Sequence, residues 1–352
     1  MSFYSVHGLT RSYFTRKVTG YLDYTDRAWR LEPGANFHPA ASAAGWNGGI
    51  PVVLTLDGVP MWDSTSIIEH LDASAARSVL PEDPALRFLA YMLDDFSDEW
   101  FYRPAVASRW SYPVNVAASG WQLAQEMSMT MPAPATMIFQ MVTQVMTASV
   151  PKLGISQGNI ETWMNEVLVP WLKVLSAHLD GGTYLLGERP CIADFALFGA
   201  NIAHFVADPY CRELSDEHGP NVVSHTGRLL LPHLQQFGEW SDPDALPETL
   251  VSVVAEAGRH YLPWVARATV DGAASVEFAD GVVEEIATTN FLNEARGILL
   301  ARYVAARTNK LDGILDRAGV LKYFAGYTDQ ATALPDMSDP PQPTDNRPYA
   351  AN

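Results

Sequence analysis

The stretch 50-IPVVLTLDGVPMWDSTSIIEHLD-72 decides how the first quarter of the chain is read. Pro51 enters an apolar run that meets Asp57-Gly58, a dipeptide suited to the positive-φ positions of a hairpin turn, and a second short run follows through Met61 and Trp62. Asp63-Ser64 then precedes Ile67, Ile68 and Leu71, whose spacing predicts one buried face of a helix with a side-chain cap at its start. Upstream, 2-SFYSV-6 reads as a strand and 27-RAWRLE-32 as another. Between them, 12-SYFTRKVTGYLDYT-25 reads as a helix with Val18, Tyr21 and Leu22 on one face and Ser12 as its N-cap. The order β-α-β then β-β-α predicts a small mixed sheet with helices packed on it.

After Pro81 and Pro84 the periodicity turns helical, and no strand is expected before residue 242. Segment 161-ETWMNEVLVPWLKVLSAHLDG-181 places Leu168, Trp171, Leu172, Leu175 and Leu179 on one stripe, and 192–207 is apolar nearly all round, which predicts a buried central helix. Segment 127–146 holds six of the eleven methionines; core packing is the favoured reading and an adaptable pocket wall the other. Residues 243–328 read as a further, mostly helical portion, with a hairpin over 269–281 turned at Asp271-Gly272. The Pro-, Asp- and Ser-rich residues 329–352 are expected to be disordered. The expected division is therefore 1–80, 86–242, 243–328 and a tail.

An apolar fraction of 48% over 352 residues supports a full core. With 23 basic and 40 acidic residues the net charge is −17, which disfavours a nucleic-acid partner. Two cysteines without a CxxC pair, and a first segment without the pattern of a signal peptide, suggest a reduced, cytoplasmic protein with no membrane association.

Three segments in order resemble the glutathione S-transferase family: 12-SYFTRKV-18, the stretch 50–72, and 185-LLGERPCIADFALF-198. The resemblance spans roughly residues 1–242 and implies an α/β thioredoxin-like N-terminal domain followed by an all-α domain. It implies glutathione as co-substrate, a homodimer, and an apolar electrophilic small molecule as the second substrate, in conjugation, ether or halide displacement, or isomerisation. Ser12 takes the catalytic hydroxyl position, and Tyr4 is the competing donor, with Thr10 and Thr15 behind them. A hydroxyl at a helix start stabilises a thiolate twice, by its hydrogen bond and through the positive end of the helix.

By the same resemblance Pro51 is cis and turns the Ile50 backbone toward a bound peptide, which would pair with it as one more strand. Ser64 would bind the γ-glutamyl carboxylate at the helix start, and Asp63, standing where Glu or Gln is usual, the ammonium. His38, with Trp46 and Arg30 as alternatives, is the candidate for the glycyl carboxylate. Tyr102, Trp110 and the methionine-rich segment are candidates for the second-substrate wall. Cys191 occupies an N-cap position with Asp194 three residues on, a half-made capping box. Position 12 is not Cys, which argues against disulfide reduction.

Other signals are weaker. Residues 154-GISQG-158 satisfy G-x-S-x-G but follow a helical pattern where a nucleophile elbow needs a strand. No metal-ligand spacing is found among the nine histidines, and His218, His225 and His233 are expected in loops or at the surface. Asp94-Asp95 and Glu284-Glu285 read as solvated faces. The alternative to a transferase is a non-catalytic binding or scaffold protein that keeps the fold.

Overall fold

The computed structural model describes residues 3–33, 52–181 and 183–338. Ile50, Pro51, His38 and Trp46 lie outside them. The first elements are β1 (Tyr4–Gly8), α1 (Tyr13–Tyr24), β2 (Trp29–Pro33), β3 (Val52–Leu54), β4 (Pro60–Trp62) and α2 (Ser64–Asp72). They form one four-stranded sheet in the order β2-β1-β3-β4. β1 pairs β2 in parallel, with Val6 opposite Leu31, and pairs β3 antiparallel, with Val6 opposite Val53. β3 and β4 are joined by the expected turn, in which Gly58 has φ 82° and Thr55 Oγ1 accepts the Val59 N–H at 3.0 Å. Because β3 reverses β1 and β4 reverses β3, β4 runs with β1. The helices that follow β1 and β4 therefore begin at the same edge of the sheet, and this is the thioredoxin-like arrangement the sequence predicts.

The helical part opens with α3 (Pro84–Phe96), where Asp83 Oδ1 takes the N–H groups of Ala85 and Leu86. A π-helical turn over Ser97–Phe101 leads into α4 (Tyr102–Ser111). Then come α5 (Trp121–Met127), α6 (Ala135–Ser149), α7 (Val169–His178), α8 (Ile192–Ala200), α9 (Pro209–His218) and α10 (Pro220–Leu230). The stripe Leu168, Trp171, Leu172, Leu175 and Leu179 is buried as expected, and all nine residues of α8 are buried. α8 runs against α1 at close range through two glycines. A Cβ on Gly20 would stand 2.6 Å from the Phe198 ring, and one on Gly199 2.6 Å from the Tyr13 carbonyl oxygen. At the start of α8, Asp194 accepts the Cys191 N–H (2.8 Å), the Leu185 N–H (3.0 Å) and His225 Nε2 (2.8 Å).

The extension comprises α11 (Glu248–Ala257), α12 (Tyr261–Asp271), β5 (Ala273–Glu277), β6 (Val283–Ala287), α13 (Asn290–Ala306) and α14 (Asn309–Arg317). Its core is continuous with that of the preceding helices: Trp264 and Tyr261 lie 5.8 and 6.0 Å from Trp100, centroid to centroid, and Tyr303 lies 5.6 Å from Phe88. The hairpin falls later than expected. Gly272, in the left-handed region, ends α12, and the two strands turn instead near Gly281, while Glu166 takes the N–H groups of Ala279 and Asp280. An Asp-Gly pair serves a helix end as well as a turn, since both need a positive φ.

The expectation of disorder from residue 329 does not hold for Asp329–Ser338. That run crosses α13 and α2, with the Thr332 N–H donating to the Gly297 carbonyl (3.1 Å) and the Met337 carbonyl paired with His70 Nδ1 (2.8 Å). It is poor in apolar side chains but finds backbone partners.

Candidate active site

Ser12 stands at the end of the loop that leaves β1 and caps α1. Its backbone is extended (φ −91°, ψ 129°) and its Oγ accepts the Thr15 N–H at 3.4 Å, a long cap bond. The side chain is half-buried, and among the described residues its proton has no acceptor. The competing hydroxyls are placed differently. Tyr4 is the first residue of β1, whose far end carries the loop to Ser12; four residues of strand separate the two ends by about 13 Å. Thr10 Oγ1 donates to Glu126 at 2.7 Å, and Thr15 is buried against Gly8. Tyr13, next to Ser12, is core: its hydroxyl donates to the Ser97 carbonyl at 2.8 Å, and burial followed by Asp98 and Asp94 raises its pKa.

At the same edge of the sheet Asp63 caps α2, its Oδ1 accepting the Ser66 N–H at 2.9 Å. Its φ of 76° with ψ 111° is a conformation a non-glycine residue rarely holds, and such residues collect at functional sites. Ser64 follows as the first helical residue, buried, with its Oγ making no hydrogen bond among the described residues. Ser64 and Asp63 thus sit together at a helix start, as predicted. Of the other candidate residues, Arg30 lies on β2 and pairs with Glu32.

The two helix starts are tied by a buried cation that sequence reading passed over. Lys17 Nζ, fully buried, contacts Asp94 Oδ1 (2.7 Å), Asp98 Oδ2 (2.5 Å) and Thr65 Oγ1 (2.9 Å), and Thr65 donates to Asp94 at 2.8 Å. Burial pulls the Lys17 pKa down, but the two carboxylates outweigh it and hold it raised. With one cation for two acids, Asp98 is pushed up to about 8: burial and Asp94 raise it, against the pull of Lys17. Asp94-Asp95 is therefore no solvated face. Asp94 is buried, and Asp95 accepts from the Tyr261 hydroxyl at 2.5 Å with its pKa raised by burial to about 6. Burial also raises Glu99, helped by Asp95 and Asp98. Asp63 acts electrostatically on both Asp98 and Glu99 and helps to raise them, which favours their protonated forms beside the start of α2. The signal in the sequence was acids four apart, Asp94/Asp98 and Asp95/Glu99, set among Leu93, Phe96, Trp100 and Phe101, with a lysine on the apolar face of α1 to match.

Two residues after Ser12, Phe14 stacks on Tyr102 (5.3 Å, 24°) and lies 4.8 Å from the Tyr13 ring, forming an aromatic cluster. Trp110 is buried, packed beside Gly120 and hence structural. The methionine-rich segment is less buried than a core reading requires: Met129, Met137 and Met141 are exposed, and α6 buries only Ile138.

Gly154–Gly158 follows a short 3-10 helix, with Gly154 left-handed, so no strand leads to Ser156 and the elbow reading falls. His225 is buried on Asp194, contrary to the expected loop or surface position, because its ring completes that carboxylate's hydrogen bonding. No group of three or more His, Cys, Asp or Glu among the described residues is arranged to hold a metal ion. No helix among them is long and apolar enough to cross a membrane.

Residues 6–78 match the glutathione S-transferase N-terminal domain family, so this class of domain is present at the start of the chain. No curated protein matches the chain. Solved structures that match include a glutathione S-transferase from Xanthobacter autotrophicus (18% identity, covering 66% of this chain and 96% of that one, TM-score 0.39). A second, from Pseudomonas fluorescens, has 21% identity, coverage of 70% and 98%, and a TM-score of 0.38. A beta-etherase, LigF, from a Sphingobium strain has 15% identity, coverage of 65% and 95%, and a TM-score of 0.41. Similarity at that level carries no argument about fold or reaction.

Proposed function

We propose that the chain is a glutathione transferase that activates the tripeptide's thiol at Ser12 for attack on an apolar electrophile. The observation that carries the reading is a half-buried hydroxyl at a helix N-terminus, its proton unclaimed among the described residues, inside a domain of the glutathione S-transferase N-terminal class. A thiol of pKa about 8.5 is mostly protonated at neutral pH. A hydroxyl donor and the partial positive charge of the α1 start both favour the thiolate over the thiol. The γ-glutamyl end would lie at the start of α2, with its carboxylate on free N–H groups and Ser64 Oγ. Its ammonium would face the carboxylate of Asp63 at the start of α2. Ile50 and Pro51 would supply the backbone edge and His38 the glycyl contact. Phe14 and Tyr102 suit an aromatic electrophile. A cytoplasmic homodimer is part of the same proposal.

Calorimetric titration with glutathione, on the wild type and on Ser12→Ala, tests it. Binding to both is expected, with the bound thiol's pKa raised in the variant and turnover lowered by about 10²-fold. Absence of binding to the wild type refutes the reading and leaves the scaffold alternative; an unmoved thiol pKa removes Ser12 from its role.

A further inference from the structure

The turn that ends in Ser12 is held from outside its own domain. Within it the Ser12 N–H donates to the Leu9 carbonyl at 3.0 Å. The two residues before Ser12, Thr10 and Arg11, are fixed from α4 and α5. Glu126 on α5 takes the Thr10 N–H on both carboxylate oxygens (3.0 and 3.1 Å) and the Thr10 hydroxyl on Oε2 (2.7 Å). Gln122, one turn earlier, accepts from Arg11 Nε at 2.6 Å. Arg109 on α4 donates to the Arg11 carbonyl at 2.7 Å.

Arg109 is itself immobilised. It is buried, with Nε on the Asp208 carboxylate (3.0 and 3.3 Å) and its remaining terminal nitrogen on the Ala203 carbonyl. Asp208 also accepts from Ser119 and faces His204, whose pKa burial and Arg109 lower to about 4, so that the imidazole is neutral beside the ion pair. Three consecutive residues, Thr10, Arg11 and Ser12, are thus anchored, the first two by the helical domain.

We propose that Glu126 is a positioning residue for Ser12. With Arg109 fixing the carbonyl just before Ser12, the Glu126 carboxylate sets the path of Thr10 and so the direction in which the Ser12 hydroxyl points at the thiol. The inference rests on the reading of Ser12 as thiolate donor. It assigns the accuracy of that donor to the helical domain, which also carries α6 and its exposed methionines, so that one domain both orients the activating hydroxyl and lines up the partner of the activated thiol. A charged acceptor is suited to this task. A carboxylate offers an acceptor on both oxygens and so takes the shared N–H and the hydroxyl together, whereas an amide keeps one acceptor oxygen and offers an N–H where the second acceptor is needed.

Glu126→Ala, Glu126→Gln and the wild type are compared by calorimetric affinity for glutathione and by ultraviolet absorption of the bound thiolate across pH. Glu126 is half-buried at the surface, so its removal leaves the core intact, and thermal melting confirms this. With Glu126→Ala, glutathione affinity changes less than about 3-fold while the bound thiol's pKa rises and kcat falls by about 10-fold or more, as expected when a reacting group is misplaced by a fraction of an ångström. Glu126→Gln restores part of both. A variant whose bound-thiol pKa and kcat match the wild type overturns the positioning role and leaves the transferase reading standing. A loss of affinity with no movement of thiol pKa overturns it too, by making Glu126 a binding group. Failure of the wild type to bind glutathione removes both proposals together.

Discussion

Replacing Lys17 by Met is the most revealing perturbation of this architecture. The ammonium is fully buried and stands between Asp94 and Asp98, with Thr65 as its third acceptor. Methionine fills the space of the aliphatic stem but leaves two carboxyl groups in the seam between α1, α2 and α3 with no cation. Removing one partner of a buried ion pair costs about 3–5 kcal/mol, because the remaining charge is left uncompensated. Here the loss depends on pH. Without Lys17 the buried Asp98, raised even in its presence, holds in the native state a proton that the unfolded chain releases near pH 4, so the native state binds more protons and stability falls as pH rises. Below about pH 3 the carboxyl is neutral in both states and the loss shrinks to about 1 kcal/mol, mostly hydrogen bonding. Urea unfolding followed by tryptophan fluorescence at several pH values reads this directly. Asp98→Asn in the Lys17→Met background should recover at least about 1 kcal/mol near pH 8, since it removes one of the two stranded charges. A loss under about 1 kcal/mol at every pH, or the absence of coupling to Asp98→Asn, refutes the buried triad.

The wild type should itself lose stability as pH rises. Asp95 and Asp98 have folded pKa values pushed up to about 6 and about 8, above the unfolded value near 3.8, so the destabilisation sets in above the unfolded value and is complete once pH passes the folded ones; Asp95→Asn should flatten the lower part of the unfolding-midpoint profile. Gly199→Ala, with its new Cβ against the Tyr13 carbonyl, should cost about 1–3 kcal/mol by forcing α1 and α8 apart, as read by thermal melting. Ser12→Ala should cost about 0.5–1 kcal/mol as a lost but long cap, so that a much larger fall in turnover separates catalysis from capping.

The local order of strands and helices in the first 72 residues was legible because each boundary carries its own chemistry: Asp57-Gly58 for the turn, Ser12 and Asp63 for the helix starts, and alternating periods between them. The stripe over Leu168–Leu179 and the all-apolar α8 were legible for the same reason. What escaped was whatever depends on who faces whom across the chain. Asp94 and Asp95 look like surface acids until Lys17, 77 and 78 residues earlier by subtraction of their numbers, and Tyr261 are brought to them. Glu126 and Arg109 act on a loop about a hundred residues away, and no spacing announces it. His225 looked like a surface residue because nothing nearby in sequence marks Asp194 as its partner.

The π-helical turns carry a consequence for how this chain tolerates change in length. Among the described residues four five-residue turns of this kind, Ser97–Phe101, Val116–Gly120, Met164–Leu168 and Asn201–Phe205, interrupt the helices of the central part. Each amounts to one residue more than an α-helical ladder would hold in the same rise. A single-residue deletion within Ser97–Phe101 would be absorbed as the ladder closes, whereas one within α3 would swing everything after it by about 100° around the helix axis. Arg103 would then leave the Leu153 carbonyl, Arg109 the Arg11 carbonyl and Trp100 its aromatic cluster, although no side chain had been substituted. Point substitution and single-residue deletion thus probe different things in this protein: the first tests a contact, the second the phase of a whole helix.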